Sequence, residues 1–399
     1  MTGMETLFTN AKLPDGSLSD IGVSGGRIVS IVPSGASSDL PGAVDIAGAL
    51  LVPAFVEGHI HLDTSFWGDR WIPHKPCTNG FDVHERVAFQ AENLAVAAPM
   101  DERARNQLDL AISNGSLHMR SHVMVDGSVG LASLETILAV REAYRDLIDI
   151  QLVAFPQGGI LKSPGTAELL DEAINLGADL VGGLDPASFD RDVNGHLDVV
   201  FGIAEKRGVG VDIHLHDFGS LGAFTVGEIC ARTKALGMQG RVAISHAYGL
   251  GDLDRDAARR IAATIAASGV SIMTNAPGDH VFPPVALLRS EGVTVFSGSD
   301  NIRDSWWPYG DGDMLGRAMM IGYRSGFYTD EELEAAFEVV TAGGAAALGI
   351  DDYGMVIGGR ADFVTLAAEH VPEAVVAVPK QRRVFKAGHL VAENGAVIR

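Results

Sequence analysis

Apolar positions along this chain fall into two regimes. Up to about residue 52 they come in short alternating runs broken by glycine and proline, which predicts strands joined by tight turns. DIGVSGGRIVSIV (20–32) alternates on both sides of a Gly-Gly pair, a hairpin signal. From residue 53 the runs become nearly continuous, and each ends in polar residues. They are VPAFVEGHIH (52–61), SLHMRSHVMV (116–125), IDIQLVAFPQ (148–157), ADLVGGLDP (178–186), GVDIHLHD (210–217), RVAISHAY (241–248), VSIMTNAP (270–277) and VTVFSGSD (293–300). Continuous apolar runs suit parallel strands buried on both faces. Helical patterns lie between most of them. TAELLDEAINLG (166–177) and LDRDAARRIAATIAASG (253–269) end in glycine, as helices often do. After the eighth run, YTDEELEAAFEVV (328–340) places Thr329 and Glu332 at capping-box spacing. Strand patterns return from about residue 353, in ADFVTL, RRVFKAG and HLVAENGAVIR.

Eight β/α units over some 250 residues predict an α/β protein with a (β/α)8 TIM barrel at 53–352. The strand-like ends, 1–52 and 353–399, are expected to pair into a small β-sandwich domain beside it. A chain of 399 residues is long enough for both. The first gap, 62–115, is long and carries the aromatic segment WGDRWIPHKP; it is expected to cover the substrate.

Composition narrows the function classes. The chain is 47% hydrophobic and 20% charged, as globular proteins are. A formal charge of −21 repels phosphate backbones and anionic lipids, so neither nucleic acid nor membrane is an expected partner. Two cysteines, Cys77 and Cys230, make no disulfide framework and point to a reducing, cytoplasmic compartment. No signal peptide and no membrane-spanning run is expected. GVSGG (22–26) matches the G-x-S-x-G pattern of serine hydrolases, but an alternating strand follows it where a helix is needed. Ser24 is therefore a turn residue. No nucleotide-binding fingerprint is present.

The candidate chemistry begins in VEGHIHLD. Side chains alternate along a strand, so His59 and His61 share a face. Alone, that pair is as compatible with a hydrogen-bonded core as with a metal. The other strand ends decide. Gln157, Asp185, His214 with His216 and Asp217, His246 and Asp300 all fall at the C-terminal ends of strands, where barrels place their active sites. A core histidine explains one such residue, not the set. His59, His61, His214 and Asp300 would suit one divalent ion, Zn²⁺ or, in the same frame, Fe²⁺. With one position open, such an ion lowers the pKa of water from ~16 toward ~7.

These residues resemble the amidohydrolase superfamily over essentially the whole chain. DIGVSGGRIVSI and VPAFVEGHIHLD look like its opening, with Ala54 where glycine is common, and GMVIGGRADFVTL looks like its closing segment. MRSHVMVD, IDIQLVAFPQGGI, LGADLVGG, SHAYG and GSDNIRDSWWPYGDGDML look like the cytosine deaminase branch. The resemblance implies that His59, His61, His214 and Asp300 are metal ligands, with His246 orienting the water and Gln157 reading the amide edge of a ring. The fourth strand, ADLVGGLDP, lacks the lysine of two-metal members, which implies one ion. Asp217 stands where cytosine deaminases carry glutamate, and Asn301 where they carry a second aspartate. Both departures look more like the subgroup that removes an alkylamine from N-isopropylammelide, an s-triazine.

That resemblance implies hydrolytic displacement of ammonia or an alkylamine from a small N-heterocycle. Asp300 would take the water proton, and Asp217 or His216 would protonate the ring or the leaving amine. Trp306, Trp307 and Phe66 are candidate walls for a flat ring, with Asn301 and Asp185 as further substrate contacts. Arg303 is expected to pair with Asp304 or Asp185 and brace a loop. His122 has no assigned role, and His74, His84, His118, His196, His280, His370 and His389 are expected to be structural or exposed. A cytosine, isoguanine or creatinine deaminase is a close alternative and a cyclic amide hydrolase a more distant one. A non-catalytic scaffold would be expected to lose ligands that this chain keeps. A homo-oligomer is expected.

Overall fold

The computed structural model describes residues 5–35 and 42–399. Eight parallel strands form one sheet in sequential order: β1 (Phe55–Ile60), β2 (Ser116–Met124), β3 (Asp149–Phe155), β4 (Leu180–Leu184), β5 (Gly210–Leu215), β6 (Val242–His246), β7 (Ser271–Met273) and β8 (Val295–Phe296). Each corresponds to one of the apolar runs. The helices Thr166–Leu176 and Arg255–Ser268 end on Gly177 and Gly269, both left-handed (φ 116° and 62°). Thr329 and Glu332 form the expected capping box on the helix Asp330–Val339.

The barrel closes between β8 and β1. Ile60 and Asp300 form a parallel bridge. The Asp300 N–H donates to the His59 carbonyl at 2.7 Å, and the Gly58 N–H donates to the Ser297 carbonyl at 2.9 Å. Two glycines permit this approach. A Cβ on Gly298 would lie 2.3 Å from the His59 carbonyl oxygen, and one on Gly58 would lie 2.5 Å from the Phe296 ring. The seam that shuts the barrel is thus the place where His59, His61 and Asp300 meet.

The chain ends build a separate sheet of nine strands. Thr6–Lys12, Leu18–Ser24, Arg27–Pro33, Val44–Asp45 and Leu50–Pro53 come from one end. Phe363–Leu366, Arg383–Lys386, His389–Glu393 and Ala396–Val397 come from the other. The two ends join where Leu50–Pro53 pairs antiparallel with Phe363–Leu366. Thr6–Lys12 and Arg383–Lys386 are three strands apart in the sheet order, about 14 Å if it were flat. Yet the Phe8 and Phe385 rings are 5.1 Å apart. The sheet therefore folds over on itself, sandwich-like, around Phe8, Ile21, Leu51, Phe363 and Phe385. Ser24 faces Arg27 across the Gly25–Gly26 turn of a hairpin, as the pattern required.

The run at 52–61 is not one strand. It changes sheets at Ala54, whose N–H donates to the Asp362 carbonyl at 3.0 Å. β1 then carries one extra residue between Glu57 and Ile60 relative to β2. This bulge breaks the simple alternation. His59 and His61 turn toward the cluster described below, while Glu57 accepts from the Ser299 N–H (2.7 Å) and hydroxyl (2.6 Å). Among the described residues no helix is long and apolar enough to cross a membrane. Cys77 and Cys230 are free.

Candidate active site

The strand ends converge on a cavity of about 1100 Å³ lined by His61, Gln157, His214, His216, His246 and Asp300. His59 lies beneath, fully buried. Its Nε2 and the His61 Nε2 are each 3.5 Å from Asp300 Oδ1. The His214 Nε2 is 3.4 Å from the His61 Nε2. Donors around a tetrahedral ion with bonds of about 2.1 Å stand about 3.4 Å apart. The His59 Nε2 is buried with no hydrogen-bond partner. An orphaned nitrogen inside a cluster spaced like coordination ligands fits a metal. The neighbourhood of His59 also fits. Its Nδ1 is 2.9 Å from Ser245 Oγ, and that hydroxyl donates to Asp212 at 2.7 Å. Having used its one hydrogen there, Ser245 can only accept from His59 Nδ1–H. That tautomer leaves the Nε2 lone pair free for an ion. Asp212 is in turn held by Arg120 at 3.0 Å.

Electrostatics favour the metal-binding form at three of the four candidate ligands; at His61 burial acts downward, but Asp300, Asp63 and Asp304 more than offset it and raise the imidazole above its usual range. Burial lowers His59, an effect only partly offset by Asp300. Burial, reinforced by neighbouring imidazoles, holds His214 well below the usual imidazole range. For Asp300, burial acts upward, but His246, His59 and His61 more than offset it and hold the carboxylate well below its ordinary value. Asn275 Nδ2 donates to its Oδ2 at 2.8 Å. Three of the strand-end residues, Asp185 (φ 37°), His246 (φ 74°) and Asp300 (φ 60°), have left-handed backbones. For non-glycine residues this costs about 1–2 kcal/mol each, and such strain gathers at functional sites.

His216 and Asp217 separate. His216 lines the cavity, and Asp185 grips it twice: Oδ1 accepts from the backbone N–H at 2.6 Å, and Oδ2 lies 2.8 Å from Nδ1. Burial acts to lower His216, but Asp185 more than offsets it and raises the imidazole above its usual range. Asp217 is not part of the cavity lining; its Oδ2 is buried without a hydrogen-bond partner, and burial and Asp185 push its carboxyl up. Asp185 likewise lies behind His216 rather than on the cavity wall.

Trp306, Trp307 and Asn301 line the cavity, whereas Phe66 is buried outside it. The Trp306 ring lies within 19° of parallel to His216, with centroids 6.3 Å apart. Its indole N–H donates to Gln90 Oε1 at 2.6 Å. Asp304, pushed up to about 6 by burial, accepts from the Trp306 N–H (2.8 Å), the Trp307 N–H (3.0 Å) and Asn301 Nδ2 (2.7 Å). Arg303 forms neither expected ion pair. Its guanidinium instead lies 4.2 Å from the centroid of the Trp67 ring, a cation–π contact. His122 is buried with its ring 3.9 Å from that of His59. His280 lines the cavity, and His118 lies between Asp149 and Asp362, so neither is isolated. Sequence reasoning also passed over Tyr248, Asn275, Phe81 and Gln90, all in the lining. The available signal was position: Tyr248, Asn275 and His280 follow strand C-terminal ends, on the face that carries the donor cluster.

Fold, seam and donor cluster define a metal-dependent class of barrel hydrolases, and residues 42–392 match the amidohydrolase family. The chain belongs to that family and is a hydrolase of the superfamily that acts on C–N bonds. It is 31% identical to the N-isopropylammelide isopropyl amidohydrolase of Pseudomonas sp. (strain ADP), over 99% of this chain and 98% of that one. The crystal structure of N-isopropylammelide isopropylaminohydrolase from Burkholderia multivorans ATCC 17616 superposes with a TM-score of 0.93 at 41% identity, covering 98% of this chain and 99% of that one. 5-Methylcytosine deaminase from Klebsiella pneumoniae, liganded with 5-fluorocytosine, gives a TM-score of 0.85 at 27% identity over 97% of both chains.

Proposed function

We propose that this chain displaces an amine from an amino-substituted N-heterocycle, with an N-alkylammelide-type s-triazine as its substrate and one divalent ion, zinc, as its cofactor. The observation that carries the reading is the donor cluster itself, open to a cavity whose lining includes Gln157, His216 and Trp306. The Trp306 ring offers a flat surface against which a planar heterocycle can lie. Resemblance to the two N-isopropylammelide hydrolases over nearly the whole chain supports the triazine.

His59, His61, His214 and Asp300 would hold the ion, which when bound supplies a water activated at neutral pH. Asp212 already serves Arg120 and Ser245, which supports one ion rather than a second one deeper in the barrel. Asp300 accepts the proton of the attacking water, and Asn275 holds its other oxygen. His246 sits beside the cluster and orients the water. The water oxygen bonds to the ring carbon, and the carbon–nitrogen bond breaks. His216, aligned by Asp185, donates the proton with which the amine departs. A neutral amine is a far better leaving group than an amide anion. Gln157 both donates and accepts, which suits the lactam edge of the ring. The geometry favours His216 over Asp217 as the acid because only His216 reaches the cavity.

A cytosine-type deaminase releasing ammonia is the second reading, favoured by the 5-methylcytosine deaminase likeness. The deciding experiment supplies the zinc-loaded protein with N-isopropylammelide, ammelide, cytosine, isoguanine and creatinine and identifies released amines by mass spectrometry. Isopropylamine from the triazine is expected. Ammonia from a pyrimidine or purine alone would overturn the proposal.

A further inference from the structure

We propose that Phe81 is a specificity-determining residue that receives the substituent of the leaving amine, so that the site selects heterocycles whose amino group carries a small apolar alkyl chain. The inference rests on the reading above in one respect: His216 delivers the proton to the leaving nitrogen. That nitrogen must then lie within hydrogen-bond reach of His216. Its substituent must point past His216, away from the ring being attacked.

The ring found there is Phe81. Its centroid is 6.0 Å from His216, 5.9 Å from His280 and 6.4 Å from Trp306. Tyr248 backs the same corner, its ring edge-on to His280 at 4.3 Å. Phe81, His216, Tyr248, His280 and Trp306 all line the cavity. Yet Phe81 is 41% exposed. A scattered exposed aromatic needs no explanation. This one lines the cavity within 6.4 Å of the His216 and Trp306 rings and presents a ring face that its neighbours leave partly uncovered. An alkyl chain of a few carbons would cover that face and displace water from it. An unsubstituted amino group would leave the face wet.

Phe81 is also held in place. Gly80 takes a left-handed turn just before it (φ 91°), and Asp82 just after it caps the helix Val83–Leu94 by accepting from the Glu85 N–H at 3.0 Å. That helix is tied to the loop carrying Trp306 through Gln90 (2.6 Å) and through Asn93 Nδ2, which donates to Ser305 Oγ at 2.9 Å. The corner is therefore set by two anchored segments.

The test measures kcat/KM of the zinc-loaded protein for N-isopropylammelide and for ammelide, in the wild type and in Phe81→Ala, Phe81→Trp and Phe81→Leu. The wild type is expected to favour the alkylated substrate. Phe81→Ala opens the corner and Phe81→Trp fills it; each should lower that preference at least tenfold, whatever loss both substrates share. Phe81→Leu keeps an apolar surface and should retain most of the preference. A preference unchanged within twofold in Phe81→Ala, or a wild type that favours ammelide, overturns the inference while the aminohydrolase reading stands. A wild type that releases amine from neither substrate overturns both.

Discussion

Ser245 shows how little of a candidate site is visible in its donor residues alone. It touches no substrate, but it links His59 to Asp212 and Arg120 and so selects the His59 tautomer that leaves Nε2 bare. Ser245→Ala should lower zinc affinity by about 10- to 100-fold, the usual cost of losing such a partner. Competition with a chelator of known affinity checks this, and unchanged affinity would remove Ser245 from the chain. Asp185 plays the matching part for His216. Asp185→Asn should leave zinc content intact and lower kcat about 100-fold. It should also move one limb of the pH profile. Burial acts to lower His216 and Asp185 more than offsets it; without that carboxylate the imidazole loses its proton at lower pH. A donor must be protonated to act, so the alkaline limb of kcat should shift to lower pH. That His59, His61, His214, His246 and Asp300 gather at one end of the barrel was legible from strand-end position and resemblance. Which of His216 and Asp217 lines the cavity was not, because it depends on which side chain still points inward after β5 ends at Leu215.

At the scale of elements, the eight barrel strands were legible because parallel strands buried on both faces are written as unbroken apolar runs. The helix Val83–Leu94 was not, because its larger apolar side chains, Val83, Val87, Phe89 and Leu94, are only half-buried and the one buried residue is the polar Gln90. It works as a brace. Gln90 takes the Trp306 indole N–H, and Arg86 donates to the Ser305 carbonyl at 3.2 Å. The helix thus positions the loop that carries Trp306 on the cavity wall. Gln90→Leu removes the acceptor and leaves the indole N–H unpaired, at a cost of about 1 kcal/mol. KM for the heterocycle should rise about fivefold with a smaller change in kcat. Gln90→Glu keeps an acceptor and should hold KM near the wild-type value. A Gln90→Leu variant with wild-type KM would show that the loop needs no such brace.

The whole molecule depends on a junction at the other end of the barrel, where the terminal sheet meets the strand N-termini. His118 on β2 lies 3.3 Å from Asp149 on β3 and 3.4 Å from Asp362, which leads into the strand Phe363–Leu366. Lys386, from the neighbouring strand of that sheet, reaches Asp149 at 2.7 Å and Asp362 at 3.3 Å, and Arg360 reaches Asp149 at 2.7 Å. Two carboxylates and three basic side chains therefore tie a sheet made from both chain ends to the barrel. That the two ends would pair was legible from their strand patterns; this junction was not, because its members are scattered singly along the chain. For Asp362, burial acts upward, but His118 and Lys386 more than offset it and lower the carboxyl from its ordinary 3.8. A carboxyl lowered by folding contributes stability that is present above its unfolded value and lost as pH falls through its folded value. The junction should therefore hold above about pH 4 and weaken below it. Asp362→Asn removes the charge at every pH. At neutral pH it should cost about 2 kcal/mol, the worth of hydrogen bonds to a buried charge. For a chain of this length that corresponds to a Tm lower by about 2–3 °C. The gap between wild type and variant should close as pH falls below about 4, because the wild type then loses the same charge. Thermal melts across pH 3–7 decide this, and a gap that stays constant through that range would show that the Asp362 charge contributes nothing to the junction.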